Sequence, residues 1–248
     1  SIVSPIIPPG IVLIIYALLS NVSVTKMFIA GYVPGALIAI SLMITVAIIS
    51  KKRKYVPVRE KRASLQEVFK QFKESIWALI LPFVIILGMR IGIFTPTEAG
   101  AIAVVITTLI GIFIYKELKL TKFPEILKET VYGTSTVMFI IIAANVFGAY
   151  LSWERIPFKL TNILLEFSTS PWSLLLLINL ILLFVGMFID GGAAMIILAP
   201  LLIPAALKLG IDPLHLGIVM VVNIMIGGVT PPFGSMMFLT CSLLNIKL

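Results

Sequence analysis

The chain has 248 residues, of which 60% are hydrophobic and only 12% are charged, about half the charged fraction of an ordinary soluble domain. Several apolar runs approach or exceed the roughly 20 residues that carry a helix across a bilayer. A single cysteine and a single histidine exclude an internal disulfide framework and argue against a multi-cysteine or histidine-rich metal site and a Ser–His–Asp triad. The composition therefore predicts an all-α polytopic membrane protein.

The net charge of +8 is concentrated in two segments: of the 19 Lys and Arg residues, 13 fall within 51–73 and 116–128. Basic clusters beside apolar spans are typical of cytoplasmic loops. We therefore attribute the charge to membrane topology and expect no nucleic-acid partner. Because a basic cluster also attracts anionic headgroups, membrane lipid is an expected partner.

The first elements of the chain are predicted to be a half-span, a full span and a surface helix. Residues 1–20 contain SPIIPP and then GIVLIIYALLS, which is half a span, and residues 21–62 hold a full span followed by the basic cytoplasmic loop KKRKYVPVREKR. Residues 63–76 carry apolar side chains at helical spacing, and Ser64 and Glu67 fit a capping box. This pattern predicts an amphipathic helix on the membrane surface; a linker docked on its own protein is the alternative.

Two further spans joined by the turn TPTE, and then an amphipathic connector, are expected in residues 77–130. Arg90 and Glu98 flank that turn, where they would pair or serve packing. Residues 131–171 begin with a span that carries Asn145 and continue into a segment too polar to cross, which we place outside. Small polar residues inside a span usually join helices; lining a polar path is the alternative.

Residues 172–208 are apolar but are interrupted by the glycine-rich sequence GMFIDGG. One straight helix of this length would measure about 55 Å, far more than a bilayer. Two interpretations remain. The segment is either two spans with a tight outer loop or a re-entrant hairpin whose tip stops in the membrane. The tip lacks interfacial anchors, which favours the hairpin. Asp190 at this tip would hold a cation, a proton or polar groups of a substrate, or would cap the returning helix.

Residues 214–245 form a second interrupted element, because GGVTPPFG breaks an otherwise apolar stretch. Non-helical backbone survives in a membrane only where it is buried in protein or lines a cavity. The first half of a broken helix ends in carbonyls that suit Na⁺, and the second half begins with amides that suit a carboxylate. Thr230 adds a hydroxyl oxygen. A proline kink that only shapes packing is the alternative.

The sequence SPIIPPGI near the start of the chain aligns with GGVTPPFG on its proline pair. Two matching interruptions in opposite orientations are typical of an inverted-repeat transporter with its site at the midplane. Residues 1–20 would then be the second part of the broken helix of repeat 1. In repeat 2, residues 172–208 would be the re-entrant hairpin and residues 214–245 the broken helix.

The stretches SPIIPPGIVLIIYALL, GIFTPTEAGAIAV and GMFIDGGAAMIILAPLLIPAALKLGIDPLHLGIVMVVNIMIGGVTPPFG resemble the large membrane (permease) subunit of tripartite ATP-independent periplasmic (TRAP) transporters. We expect the chain to be the C-terminal portion of such a subunit. The resemblance implies an elevator-type transporter, not an enzyme, in the bacterial inner membrane. It would import a small organic acid of the sialic acid or C4-dicarboxylate type, coupled to Na⁺ and delivered by a periplasmic substrate-binding protein. A small membrane subunit, separate or fused, would accompany it; an H⁺-coupled carboxylate transporter or an ion channel of related fold is the alternative.

The resemblance also implies site residues, which are expectations for this chain. One Na⁺ site would lie at Gly186, Gly227, Thr230 and Phe233, mainly through backbone carbonyls. A second Na⁺ site would use Ser4, Ile7 and Pro9. The acid would bind at Asp190, Gly191 and Ser235.

Overall fold

A computed structural model describes residues 2–55, 63–232 and 234–244 of the chain. These residues form helices and no β-strand. The helices are α1 (Ile11–Ser20), α2 (Val24–Arg53), α3 (Leu65–Arg90), α4 (Pro96–Leu109), α5 (Phe123–Trp153), α6 (Ile156–Phe167), α7 (Pro171–Gly186), α8 (Gly191–Lys208), α9 (Pro213–Gly227) and α10 (Ser235–Leu244). Within the described part, five helical segments are long and apolar enough to span a membrane. The predicted all-α polytopic class is confirmed.

The chain divides into two compact units, one of residues 1–36 and 130–248 and the other of residues 37–129. In the second unit, α3 begins at the predicted capping box: the Ser64 hydroxyl accepts from the Glu67 amide, and the Glu67 carboxylate accepts from the Ser64 amide. The helix then runs unbroken to Arg90. The predicted surface helix and the following span are therefore one helix, because no helix breaker separates them.

The turn before α4 is also capped, by Thr95 and Glu98. The Glu98 carboxylate accepts hydrogen bonds from the Thr95 amide at 2.7 Å and the Thr95 hydroxyl at 2.9 Å. Glu98 therefore serves its own helix start, and no ion pair joins it to Arg90 in the part of the chain that the structure describes. After α4 the chain makes a π-helical turn (Ile110–Ile114) and a 3₁₀ turn (Leu120–Lys122). Because α5 begins at Phe123, most of the amphipathic connector predicted at the end of residues 77–130 is part of that helix.

In the first unit, α6 and α7 meet at a bend of 118°. The polar segment that we placed outside therefore contains a short helix of its own. Helices α7 and α8 form the two arms of a hairpin, with Met187–Asp190 as its turn. Helix α1 packs against both α8 and α9.

Helix α1 is fixed to the start of α9 by Tyr16, whose side chain is fully buried. The Tyr16 hydroxyl donates to the Pro213 carbonyl at 2.6 Å. The ring lies against Gly217, where an added Cβ would come within 2.2 Å of it. Asp212 caps α9 by accepting from the amides of Leu214 and His215, as the Asp–Pro sequence predicts. Helix α1, which follows the first proline pair, thus packs on α9, which precedes the second proline pair.

Candidate functional site

The hairpin tip ends at Asp190, which is the N-cap residue of α8. Its Oδ1 atom accepts a hydrogen bond from the Gly192 amide at 2.9 Å. The capping role considered from the sequence is therefore confirmed. The residue is exposed, so a cap in this position can contact a ligand as well.

The second interruption is a turn between α9 and α10 in which several carbonyls are already hydrogen-bonded. The Thr230 amide donates to the Gly227 carbonyl at 2.8 Å, and the Met236 amide donates to the Gly228 carbonyl at 3.0 Å. The sequence predicted that the broken helix would leave these carbonyls free. Each instead accepts one hydrogen bond and keeps a second lone pair for a cation. The Thr230 hydroxyl donates to the Ile226 carbonyl at 2.7 Å, which leaves its own lone pairs available.

Helices α7 and α9 touch through two glycines next to these interruptions. A Cβ added to Gly227 would lie 2.8 Å from the Cα and carbonyl carbon of Gly186 and 2.9 Å from the Leu183 oxygen. The Gly234 amide donates to the Met187 carbonyl at 3.2 Å, which connects the turn to the hairpin tip. The end of the first hairpin arm and the end of α9 are therefore in backbone contact.

The first interruption is the irregular segment before α1. The amides of Ile6 and Ile7 both donate to the Val3 carbonyl. Ile6 is fully buried, and its carbonyl lies where a Cβ on Gly31 of α2 would come within 2.7 Å. Gly10 is the N-cap residue of α1 and supplies no side-chain cap. The first-turn amides of α1 are therefore left for a ligand or for solvent.

A cavity of about 370 Å³ joins the first interruption to the hairpin tip and to both sides of the second interruption. Its lining residues are Ser4, Pro5, Pro9, Gly10, Ile11, Val12, Ile15, Val137, Ile140, Asp190, Gly191, Gly192, Ala193, Ile196, Met225 and Met236. The N-termini of α1 and α8 both open on this space. Among the described residues, Asp190 is the only charged side chain in the lining. The cavity thus offers apolar walls, two positive helix ends and one acid.

The structure brings together some of the residues expected at the site and separates others. Ser4, Pro9, Asp190 and Gly191 line the cavity. Gly186, Gly227 and Thr230 lie at the contact of α7 with the end of α9, outside that lining.

The remaining expected site residues are Ile7, Ser235 and Phe233. The Ile7 side chain packs toward Gly35 of α2, where an added Cβ would come within 2.6 Å of it, and the residue does not line the cavity. Ser235 is the first residue of α10, and only its backbone is described. Phe233 lies outside the described residues.

Two features were missed from the sequence. Gly10 was not singled out, although its position between a proline pair and a half-helix is a signal for an uncapped helix start. Asn179 and Asn223 were also passed over. Each is a single amide in an apolar helix, which is the usual mark of a polar contact between helices.

In the described part, no group of three or more His, Cys, Asp or Glu residues could hold a metal ion.

Comparison with known proteins places the whole chain in one family. Residues 1–248 match the family model "Tripartite ATP-independent periplasmic transporter, DctM component". The C4-dicarboxylate TRAP transporter large permease protein DctM of Pseudomonas aeruginosa is 41% identical over 243 residues, or 98% of this chain and 56% of that protein. The sialic acid TRAP transporter large permease protein SiaM of Vibrio cholerae is 42% identical over 237 residues, or 96% and 55%. The isethionate TRAP transporter permease protein DctMQ of Oleidesulfovibrio alaskensis is 37% identical over 244 residues, or 98% and 38%. The chain thus spans about half the length, or less, of these relatives.

Proposed function

Because this chain belongs to the DctM component family of tripartite ATP-independent periplasmic transporters, we propose that it acts in the Na⁺-coupled import of a small organic acid. The protein is a transporter component with several membrane spans, and not an enzyme. The bacterial inner membrane is its proposed location. The observation that carries the proposal is one cavity lined by the first proline-containing interruption, by the hairpin tip and by Met225 and Met236, which flank the second interruption.

The proposed anion site uses the N-terminus of α1. Its first-turn amides have no side-chain cap, and Ile11 and Val12 of this turn line the cavity. Amides at a helix start, aided by the helix dipole, bind carboxylates without a lysine or arginine. The relatives are named for C4-dicarboxylate, sialic acid and isethionate. These acids differ, so the proposal for this chain stops at the class of small organic acid.

The proposed first Na⁺ site lies where α7 meets the end of α9. Hard cations prefer oxygen ligands, and unwound carbonyls in transporters supply them for Na⁺. The proposed ligands among the described residues are the carbonyls of Gly186 and Gly227 and the Thr230 hydroxyl. Phe233 is the proposed fourth ligand. A second Na⁺ at Ser4, Ile7 and Pro9 is proposed from the pseudo-symmetry of the two proline pairs.

We further propose that a periplasmic substrate-binding protein delivers the acid and that a small membrane subunit, separate or fused, accompanies this one. Movement of the first unit, with its hairpin and broken helices, would carry the acid across in an elevator mechanism. The alternative is H⁺ coupling through Asp190, which among the described residues is the one ionisable side chain in the cavity lining. An ion channel of related fold would instead conduct without coupling.

Uptake into proteoliposomes that contain the complete transporter tests the proposal. Candidate acids are supplied with and without an inward Na⁺ gradient, with and without an H⁺ gradient, and with the binding protein present or omitted. We expect accumulation only with Na⁺ and the binding protein. Accumulation driven by H⁺ alone would support the alternative, and current without accumulation would indicate a channel.

Replacement of Asp190 separates its cap from its charge. Asp190→Asn keeps a good N-cap, whereas Asp190→Ala loses it at a cost of about 1 kcal/mol in the free energy of unfolding. Asp190 lines the cavity, and its carboxylate is proposed to bind polar groups of the acid. We therefore expect both variants to lose most uptake and only the alanine variant to lower Tm. Full uptake by Asp190→Asn would show that the residue acts only as a cap.

Thr230→Ala is expected to raise the Na⁺ concentration that gives half-maximal uptake, because it removes a proposed ligand oxygen. The loss of one such ligand corresponds to a rise of about tenfold if it weakens Na⁺ binding by about 1.4 kcal/mol. Thr230→Ser, which keeps the hydroxyl, is the matched control and should stay near the wild-type value. An unchanged Na⁺ requirement in the alanine variant would remove Thr230 from the site.

A further inference from the structure

Helices α7 and α9 are joined by a pair of asparagine side chains, of which Asn223 is buried and Asn179 is half-buried. The Asn223 Nδ2 atom donates to Oδ1 of Asn179 and, at 2.7 Å, to the Val219 carbonyl of its own helix. The Asn179 Nδ2 atom donates to the Leu175 carbonyl at 2.6 Å. Asn223 is only 7% exposed. Both amides are therefore committed to hydrogen bonds, and one bond crosses between the helices.

This asparagine pair lies on the same helix faces as the glycine contact. Asn223 precedes Gly227 by one turn of α9, and Asn179 precedes Gly186 by two turns of α7. The glycine contact is made by backbone alone. No side chains interlock there, so this contact does not fix the register of α7 along α9. A hydrogen bond between buried polar side chains is directional and can fix such a register.

We propose that Asn179 and Asn223 are positioning residues, which set the register of α7 against α9 so that the carbonyls of Gly186 and Gly227 face the same Na⁺. The inference rests on the proposed Na⁺ site. It goes further by assigning a role to two residues that do not contact the ion. Packing alone would make the pair replaceable by any well-fitting apolar side chains, and this difference can be measured.

The experiment measures Na⁺-dependent thermal stabilisation of the complete purified transporter, titrated with NaCl against choline chloride. The variants are Asn179→Leu, Asn223→Leu and the double leucine variant, with Asn145→Leu on α5 as the matched control. Each single variant leaves one asparagine without its interhelical partner and should lower Tm. The double variant leaves no such asparagine, so its Tm in choline chloride should return toward the wild-type value.

In the double variant, we expect the Na⁺ concentration of half-maximal stabilisation to stay raised by about threefold or more. A threefold change corresponds to the average free energy of one interhelical hydrogen bond in a membrane protein. A double variant with the wild-type Na⁺ titration would overturn the inference. If the double variant does not fold, Asn179→Thr replaces it with the same expectation, because its hydroxyl falls short of Asn223. A wild-type transporter that shows no Na⁺ effect would instead refute the proposed Na⁺ site.

Discussion

Gly227→Ala is expected to abolish Na⁺-coupled uptake and to lower the stability of the protein. The new Cβ would lie 2.8 Å from two backbone atoms of Gly186 and 2.9 Å from the Leu183 oxygen. Backbone atoms cannot rotate away as a flexible side chain can, so α7 and α9 must move apart. Overpacking of this kind costs about 1–3 kcal/mol in the free energy of unfolding. The same displacement separates the carbonyls proposed to bind Na⁺, so uptake should fall even in protein that remains folded.

The neighbouring residue provides a matched control for this substitution. A Cβ on Gly228 would meet its nearest atoms, the Ile224 and Met225 oxygens, at 3.5 and 3.6 Å, which is ordinary van der Waals contact. Gly228→Ala should therefore keep most uptake and nearly the wild-type Tm. Uptake and Tm are measured for both variants in the same proteoliposome preparation. Equal behaviour of the two variants would mean that the glycine contact is not needed for transport.

Gly10→Ala is expected to weaken binding of the organic acid. The added Cβ would come within 2.3 Å of the Pro5 carbonyl oxygen and 3.1 Å of its carbon, so the segment before α1 must shift away from the helix start. The backbone of Gly10 is extended, with φ −114°, so the effect is steric and not conformational. Pro5 and Ile11 line the cavity on either side of Gly10. We expect the KM for the acid to rise at least about tenfold, equivalent to about 1.4 kcal/mol of binding.

The control for this variant is Gly133→Ala on α5, where a Cβ would meet no heavy atom within 4 Å. Its KM should match that of the wild type. Measurement of KM and Vmax at saturating Na⁺ separates acid binding from the Na⁺ site. If Gly10→Ala changes only Vmax, the N-terminus of α1 does not bind the acid.

Local signals in the sequence predicted the ends of several elements. The Ser64–Glu67 box does begin α3, and Asp212 does cap α9. Helix α7 ends at the glycine-rich tip, α9 ends before the second proline pair, and α1 begins after the first. Caps, glycines and prolines act through the backbone within a few residues. Their consequences can therefore be read from a short stretch of sequence.

Features that depend on distant parts of the chain could not be predicted in this way. The Ser64–Glu67 box marks where α3 begins, but the lack of a helix breaker does not by itself show that the amphipathic residues and the span share one helix. The Asn179–Asn223 bond joins residues far apart in sequence, and periodicity gives each helix a face but not its neighbour. For the same reason, the packing of the Ile7 side chain toward Gly35 of α2 could not be read from the sequence.

The central claim is that the interrupted helices hold Na⁺ and an organic acid together. Isothermal titration of the purified complete transporter with its acid, at increasing NaCl and at constant ionic strength with choline chloride, tests this claim most directly. Binding linkage is reciprocal, so we predict that Na⁺ tightens acid binding and that the acid tightens Na⁺ binding by the same factor. Acid binding of equal strength with and without Na⁺ would contradict the account.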